Sequence, residues 1–126
     1  MLRFVLYLLR NVMDKRYIEK EIKRILWTQR LFMDDSYTEK QLVKDIGTTR
    51  TELRRVLNDC FGTTYVCLRN KMKVKEAKRI MAKRSKKINI EDVALIAGFN
   101  NRQTFTNQFE IEEGISPGLY YRRKRK

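Results

Sequence analysis

The sequence predicts an all-α fold in which two helix-turn-helix motifs are joined by a long connecting helix and preceded by an extra N-terminal helix. Apolar residues recur at helical spacing through most of the chain, whereas glycine and proline are scarce, with five and one. Residues 42–62 also resemble residues 93–114 when the two stretches are aligned. No run alternates with period two for long enough to predict a strand.

The composition favours a polyanionic partner. The chain of 126 residues carries 29 Lys and Arg against 15 Asp and Glu, a net charge of +14, which suits nucleic acid or an anionic membrane surface. Histidine is absent, and Cys60 and Cys67 form no Cys-x-x-Cys pair, so we predict no zinc site, no other metal and no cofactor. Both cysteines are expected to be packing residues in a reducing compartment.

Residues 1–35 are predicted to form a helical connector. One helix is expected from about Arg16 to Met33, with Trp27 and Phe32 in the core because large aromatics at helical spacing usually serve packing. The apolar run from Leu2 to Leu9 is about half as long as a membrane-spanning helix. Two interpretations stay open: an amphipathic terminal helix, or a connector that follows a membrane segment in a longer, tethered protein.

The first helix-turn-helix motif is predicted at about residues 38–60. Thr38 can cap its first helix, and Thr48 or Thr49 can cap its second. Gly47 tolerates the left-handed backbone that the turn requires. Apolar residues four apart hold the second helix down, so the residues between them point outward with charges that suit phosphates as well as guanines. This outward set consists of Arg50, Thr51, Arg54 and Arg55.

A single connecting helix is predicted at about residues 63–82, with Cys67, Val74, Ala77 and Met81 on one face. A helix of this length spans about 27 Å at 1.5 Å per residue. We expect it to act as a strut that places the two recognition helices about one turn of B-DNA apart, ~34 Å. One chain would then read two half-sites without dimerising.

The second motif, at about residues 90–110, repeats the plan of the first with one residue inserted in its turn. Gly47 and Gly98 stand 51 positions apart, and Leu53 and Phe105 stand 52 apart. Asn100 or Asn101 can cap the second helix of this copy. The repeat therefore predicts the same short helix, glycine turn and second helix twice in the chain.

The outward side of the second helix in this copy carries residue types that read base edges. Phe105 and Phe109 are expected to be buried, which leaves the other side of the helix in solvent. Arg pairs with guanine, Gln or Asn pairs with adenine, and Thr offers a methyl group to thymine. An ordinary polar helix surface is the alternative that these residues leave open. The outward set is Arg102, Gln103, Thr106 and Asn107.

Residues 36–122 resemble the DNA-binding domain of the AraC/XylS family of bacterial transcription regulators. The stretches that carry the resemblance are "EAKRIM", "INIEDVALIAGFNNRQTFTNQF" and "GISPGLYYR". The stretch "IGTTRTELRRVLNDCFGTTY" is similar to the regulators of Bacteroidetes in particular. The resemblance implies a seven-helix fold that binds promoter DNA to activate or repress transcription. It places base contacts on Thr51, Arg54, Arg55, Arg102, Gln103, Thr104, Thr106 and Asn107.

Three positions depart from the family pattern. Lys73 stands where the connecting helix usually has Arg, and Val43 replaces a usual Ala in the first motif. Glu110 follows Phe109 where the family commonly has Lys, which makes that corner acidic. Because a carboxylate does not bind phosphate favourably, no backbone contact is expected there.

The expected partner is double-stranded promoter DNA, and RNA polymerase is a further candidate. Residues 1–35 are too short to form the sensing or dimerisation domain that such regulators generally carry. Three interpretations stay open: a stand-alone regulator, an excerpt from a longer chain whose sensing or dimerisation domain lies outside these residues, or a domain that follows a membrane segment in a tethered sensor. We expect the protein in the cytoplasm at the nucleoid, or tethered to a membrane through a longer parent. Residues 123–126 form a basic tail, and "RRKRK" is expected to be disordered without a partner.

Two alternatives come from other functional classes. A nonspecific RNA- or DNA-binding protein would explain the charge but not the repeat with its polar outward helices. An enzyme is disfavoured because the chain lacks histidine, a phosphate-binding glycine loop and paired carboxylates in an apolar context.

Overall fold

The computed structural model describes residues 2–83 and 89–125, and the side chains within these ranges except those of residues 7–13 and 125. Every regular element in these ranges is helical, which confirms the predicted fold class. The α-helices are α1 (Leu2–Lys23), α2 (Glu39–Ile46), α3 (Arg50–Val56), α4 (Tyr65–Lys83), α5 (Ile90–Ile96), α6 (Arg102–Glu113) and α7 (Pro117–Arg125).

The chain divides into two compact units, each holding one helix-turn-helix motif. Unit 1 contains the chain up to Leu31 together with Tyr37–Val66, and unit 2 contains Phe32–Ser36 together with the chain from Cys67 onward. Helix α4 therefore begins in unit 1 and continues in unit 2. The division predicted from the sequence, 1–35, 36–122 and 123–126, stays a prediction.

Helix α1 differs from the predicted Arg16 to Met33 helix at both ends. It begins at Leu2, and one π-helical turn, Arg24–Thr28, extends it beyond Lys23. The chain then leaves the helix at Arg30, which adopts a left-handed φ of 59° and so prevents continuation to Met33. No helix among the described residues has the length and apolar character needed to cross a membrane.

Of the two aromatics expected in the core, one is buried and one is not. Phe32 is 5% exposed, as predicted, but Trp27 is 39% exposed. The Trp27 ring stacks on Phe61 with 5.9 Å between ring centroids, so it covers a neighbouring aromatic side chain at the surface of unit 1.

Unit 1 forms its motif from α2 and α3, and each of these helices is preceded by a threonine that caps its N-terminus. The hydroxyl of Thr38 accepts a hydrogen bond from the Gln41 backbone amide at 3.1 Å, and that of Thr49 accepts one from Glu52 at 3.2 Å. Helix α3 continues as a π-helical turn, Leu57–Phe61, before the chain turns away. The predicted helix starts are thus confirmed.

Helix α4 buries most of the face predicted for it. Val74, Ala77 and Met81 are at most 4% exposed, but Cys67 is exposed and its predicted packing role is wrong. In this part of α4 the buried side chains are Tyr65 and Leu68, which are 2% and 7% exposed. Cys60 is half-buried, and burial raises the pKa of its thiol.

The core of unit 2 is built around a chain of aromatic rings. Phe99 and Phe105 have centroids 5.2 Å apart, Phe105 and Phe109 are 5.7 Å apart, and Phe109 and Tyr120 are 5.3 Å apart. The last two pairs meet edge to face, an arrangement that aromatic quadrupoles favour. Phe105 and Phe109 are fully buried, as the spacing predicted.

The short segment Phe32–Ser36 packs into unit 2 close to the turn of the second motif. A Cβ atom placed on Gly98 would lie 2.7 Å from the carbonyl oxygen of Met33, so only glycine fits there. Asp35 forms an ion pair with the amino group of Lys73, which is 1% exposed and lies 5.2 Å from the ring centroid of Phe99. Burial lowers the pKa of Lys73, whereas Asp35 opposes that shift.

The basic C-terminal residues extend a helix, contrary to the disorder expected for "RRKRK". Helix α7 runs from Pro117 to Arg125, and the hydroxyl of Ser116 accepts a hydrogen bond from the Leu119 amide at 3.2 Å. Proline at the first helical position favours this start. Cations near the C-terminus interact favourably with the helix dipole, which the charge count alone did not reveal. Lys126 lies outside the described residues.

Candidate nucleic-acid interface

The second helix of the first motif buries one side and exposes the other. Leu53, Val56 and Leu57 are at most 1% exposed. The left-handed Gly47, at φ 79°, sets the angle at which the helix leaves the turn. All four side chains predicted to point outward here are exposed: Arg50, Thr51, Arg54 and Arg55.

Each arginine of this surface lies near a carboxylate of the same motif. Arg54 donates from Nη2 to Glu39 Oε1 at 2.9 Å and from Nε to Oε2 at 3.3 Å, which raises the pKa of Arg54. Arg50 Nε lies 3.6 Å from Glu39 Oε1. Arg55 pairs with Glu52, one helical turn earlier, at 3.2 Å. The positive charge of this surface is therefore partly balanced within the protein.

The second motif repeats this geometry with aromatic anchors. Asn101 caps α6 by accepting a hydrogen bond from the Thr104 amide at 2.8 Å. Gly98 adopts the left-handed φ of 98° predicted for the turn. Of the side chains predicted to read bases, four are exposed and Thr106 is half-buried; the exposed ones are Arg102, Gln103, Thr104 and Asn107.

Two amide side chains of α6 lie together on its exposed side. Gln103 Nε2 donates to Asn107 Oδ1 at 3.0 Å, as residues one turn apart can. Each amide retains further donors and acceptors for a ligand. Arg102, at the start of the same helix, donates from Nη1 to Glu91 Oε1 at 3.0 Å. The surface thus offers one guanidinium and two amides within two helical turns.

The first helices of the two motifs differ in burial at the corresponding positions Val43 and Ala94. Ala94 of α5 is 2% exposed, and Val43 of α2 is half-buried.

Glu110 is exposed at the acidic corner of α6, whereas Glu113 pairs with Lys78 at 2.5 Å. In the described ranges, no group of three or more His, Cys, Asp or Glu residues could hold a metal ion.

Sequence reasoning missed Glu39 and Glu91, the carboxylates that contact Arg54 and Arg102. Both lie in the first turn of the first helix of their motif, close behind the caps. An acidic residue in a first turn is usually explained by the helix dipole, so this position alone does not indicate a contact with the next helix. The contact becomes apparent only in the structure, where the turn brings the glutamate of the first helix next to the arginine of the second.

Of three comparisons with known proteins, two found a match, and both matches agree with this geometry. A helix-turn-helix domain family model of the AraC type matches residues 42–123. The C-terminal domain of AraT, a response regulator from Geobacillus stearothermophilus, has the same fold with a TM-score of 0.66 and 19% sequence identity, over 90% of this chain and 84% of that chain. No curated protein matches the chain. Because the family match covers most of the chain, the chain belongs to the AraC-type helix-turn-helix family of DNA-binding transcription regulators.

Proposed function

We propose that the chain reads promoter DNA sequence-specifically, with α3 and α6 each entering one of two adjacent major-groove segments. One observation carries the proposal: in both motifs the second helix is anchored by fully buried residues and exposes, on its other side, residue types that can pair with base edges. A helix held this way can enter the groove without exposing its core.

The side chains suggest separate roles within each surface. Arg54 and Arg102 have the planar donors that pair with guanine, and Gln103 and Asn107 have the amide donors and acceptors that pair with adenine. Methyl groups of exposed threonines can contact thymine. The remaining predicted contacts, to bases or phosphates, come from Arg50, Thr51, Arg55, Thr104 and Thr106.

Two recognition helices in one chain predict a bipartite site. If both read the same face of B-DNA, the centres of the two half-sites lie about 10 base pairs apart. With roughly six to eight phosphates neutralised, affinity should fall with salt at a log-log slope of about −5 to −7. The slope reports the backbone contacts, whereas the selected sequence reports the base contacts.

The test is a selection of duplexes from a random DNA library at about 150 mM salt, a concentration at which nonspecific binding is weak. Wild-type protein should enrich a bipartite site. Arg54→Ala should relax one half of that site and Arg102→Ala the other, each losing about 1–3 kcal/mol of discrimination. Arg16→Ala, an exposed arginine of α1, is the matched control and should leave both halves intact.

The competing function is nonspecific binding of RNA or DNA through the net charge of +14. In that case the selected pool would be featureless, and all three arginine variants would weaken binding by similar amounts. RNA of the same length would then compete as well as duplex DNA. We expect no catalytic turnover in either case.

The partners beyond DNA belong to the same proposal. RNA polymerase would be contacted at the promoter, and a sensing or dimerisation domain would be supplied from outside the 126 residues. We place the protein at the chromosome in the cytoplasm, either free or tethered through a longer parent. Co-purification of RNA polymerase only in the presence of the selected duplex would support the first of these contacts.

A further inference from the structure

Each motif pairs a predicted base-reading arginine with a glutamate from the first turn of its other helix. Glu39 accepts two hydrogen bonds from Arg54, at 2.9 and 3.3 Å, through both carboxylate oxygens. Glu91 accepts one hydrogen bond from Arg102, at 3.0 Å. The two pairs thus join the first and second helices within unit 1 and within unit 2.

The two pairs occupy positions that do not correspond in the repeat. At the offset of 51, Glu91 aligns with Lys40 rather than with Glu39. At the offset of 52, Arg54 aligns with Thr106 rather than with Arg102. Arg102 aligns instead with Arg50, which lies 3.6 Å from the same Glu39. Each motif therefore places a first-turn glutamate beside an arginine of its second helix, although the hydrogen-bonded arginine differs between the two copies.

Stability of the fold does not account for these pairs. The side chains of Arg54 and Arg102 are 61% and 64% exposed. Ion pairs this exposed are screened by water and contribute little to the free energy of unfolding. The burial of Leu53 and Phe105 already holds each second helix in place. The pairs are better explained by what they do to the arginines.

A carboxylate on one edge of a guanidinium orients its remaining donors. The five N–H groups of Arg54 form a rigid fork, of which Glu39 takes two, and three are left for a ligand. Guanine needs two of them, for O6 and N7. Since the two hydrogen bonds to Glu39 restrict the side chain in the free protein, less conformational entropy is lost when it binds.

The same carboxylate discriminates against phosphate. A phosphate oxygen that approaches Arg54 or Arg102 also approaches the negative charge of the glutamate, and like charges repel. The edge of a guanine carries partial charges only, so it is repelled much less. The glutamate therefore weakens backbone contacts of these arginines more than base contacts, which raises specificity.

We propose that Glu39 and Glu91 are positioning residues for base recognition, which orient Arg54 and Arg102 towards the groove and weaken their attraction to phosphate. The inference rests on the proposed function. Glu39 should have the larger effect because it holds its arginine through two hydrogen bonds and is 21% exposed, against one hydrogen bond and 57% exposure for Glu91.

The test compares the affinity for the duplex selected by wild-type protein with that for a shuffled duplex of the same composition. Glu39→Gln should tighten binding to the shuffled duplex and lower the ratio of the two affinities about tenfold, and Glu91→Gln should lower it about threefold. Glu112→Gln, at an exposed position of α6 outside both pairs, removes the same charge. It should raise both affinities equally and leave the ratio unchanged.

A double-mutant cycle separates positioning from structural damage. In an Arg50→Ala, Arg54→Ala background, Glu39→Gln should no longer change the affinity ratio, because both arginines near this carboxylate are then absent. An unchanged ratio in the single variants, or the same loss with both arginines absent, would overturn the inference. If wild-type protein does not distinguish the two duplexes at all, the proposed function itself fails instead.

Discussion

The two helix-turn-helix motifs share a backbone plan but differ in what fills and supports them. Thr49 and Asn101 both cap a second helix, and Gly47 and Gly98 both adopt a left-handed φ in the turn. The first motif is anchored by aliphatic side chains and packs against α1, whereas the second is anchored by a chain of aromatic rings. A few local signals thus specify the backbone path, and the core chemistry varies around them.

The turn glycines show how the same residue can be required for different reasons. A Cβ atom on Gly47 would meet no atom within 4 Å, so only its φ of 79° requires glycine. At Gly98 the φ of 98° is combined with the close approach of the Met33 backbone. The turn of the second motif therefore depends on a distant segment of the chain, as the turn of the first does not.

The largest difference between the motifs should appear when the central anchor is removed. Phe105→Ala should destabilise unit 2 by about 4 kcal/mol and Leu53→Ala unit 1 by about 3 kcal/mol, because the aromatic ring leaves the larger cavity. Urea unfolding followed by Trp27 fluorescence reports unit 1, and far-UV circular dichroism reports both units. If both variants shifted the fluorescence midpoint equally, the two units would not unfold independently of each other.

Substitution of the turn glycines comes next in size. Gly47→Ala should lower the free energy of unfolding by about 1–2 kcal/mol, the strain of a left-handed alanine. Gly98→Ala should lower it by about 3 kcal/mol because the backbone of Met33 must also move. Chemical denaturation measures both.

Asparagine separates the two causes, since it tolerates the left-handed region better than alanine does. Gly47→Asn should recover most of the lost stability, whereas Gly98→Asn should not, because its Cβ atom still meets Met33. Recovery at both positions would show that the close approach has no energetic weight.

Removal of the charge on Asp35 should have an intermediate effect, confined to unit 2. Asp35→Asn should cost about 2 kcal/mol because it leaves the buried ammonium of Lys73 without its counter-ion. Burial already lowers the pKa of Lys73 from its ordinary 10.5, so between the folded and unfolded pKa values the unfolded chain binds more protons and stability rises with pH.

Asp35→Asn should widen the pH range over which stability rises, because the pKa of Lys73 in the folded protein falls further once residue 35 carries no charge. Denaturation at pH 7 and pH 9.5, both below the ordinary lysine pKa of 10.5, should show that the loss of stability caused by Asp35→Asn becomes smaller as pH rises. Lys73→Met in the same background removes the titrating group and should abolish this difference. A deficit independent of pH would exclude the ion pair as its cause.

The smallest loss of stability should come from removal of the side chain that caps the second helix, and it should be the same in both motifs. Thr49→Ala and Asn101→Ala each remove the side chain that caps a second helix, and each should cost about 1 kcal/mol. Serine at either position is the matched control, because its hydroxyl can accept the same hydrogen bond. A cost at Asn101 several times that at Thr49 would indicate that this cap supports more than its own helix.

Local features could be predicted from the sequence because their causes lie within one or two helical turns. The caps at Thr38 and Thr49, the turn glycine Gly47 and the buried Phe105 and Phe109 all follow from residue type and spacing. The outward sides follow as soon as the buried sides are known. Their role in binding DNA stays a prediction.

Features that depend on distant contacts escaped the sequence. The left-handed Arg30 ends a helix in which neither glycine nor proline signals a stop. The pairs of Arg54 with Glu39 and of Lys73 with Asp35 join residues 15 and 38 positions apart, and no periodic pattern records such distances. Helical order in the basic C-terminus was missed for a different reason: the local start at Ser116 and Pro117 and the favourable position of cations at a helix C-terminus were not weighed against the run of like charges.

Because Phe32–Ser36 belongs to unit 2, the two motifs become able to fold at different times during synthesis on the ribosome. Met33 is synthesised 65 residues before Gly98, the glycine that it meets. At roughly 5–20 residues per second, that partner emerges about 3 to 13 seconds later. The whole first motif leaves the ribosome during this interval. The first motif, with its surface on α3, can therefore fold during synthesis, whereas the second motif, with its surface on α6, must wait until Gly98 has been made and can meet Met33.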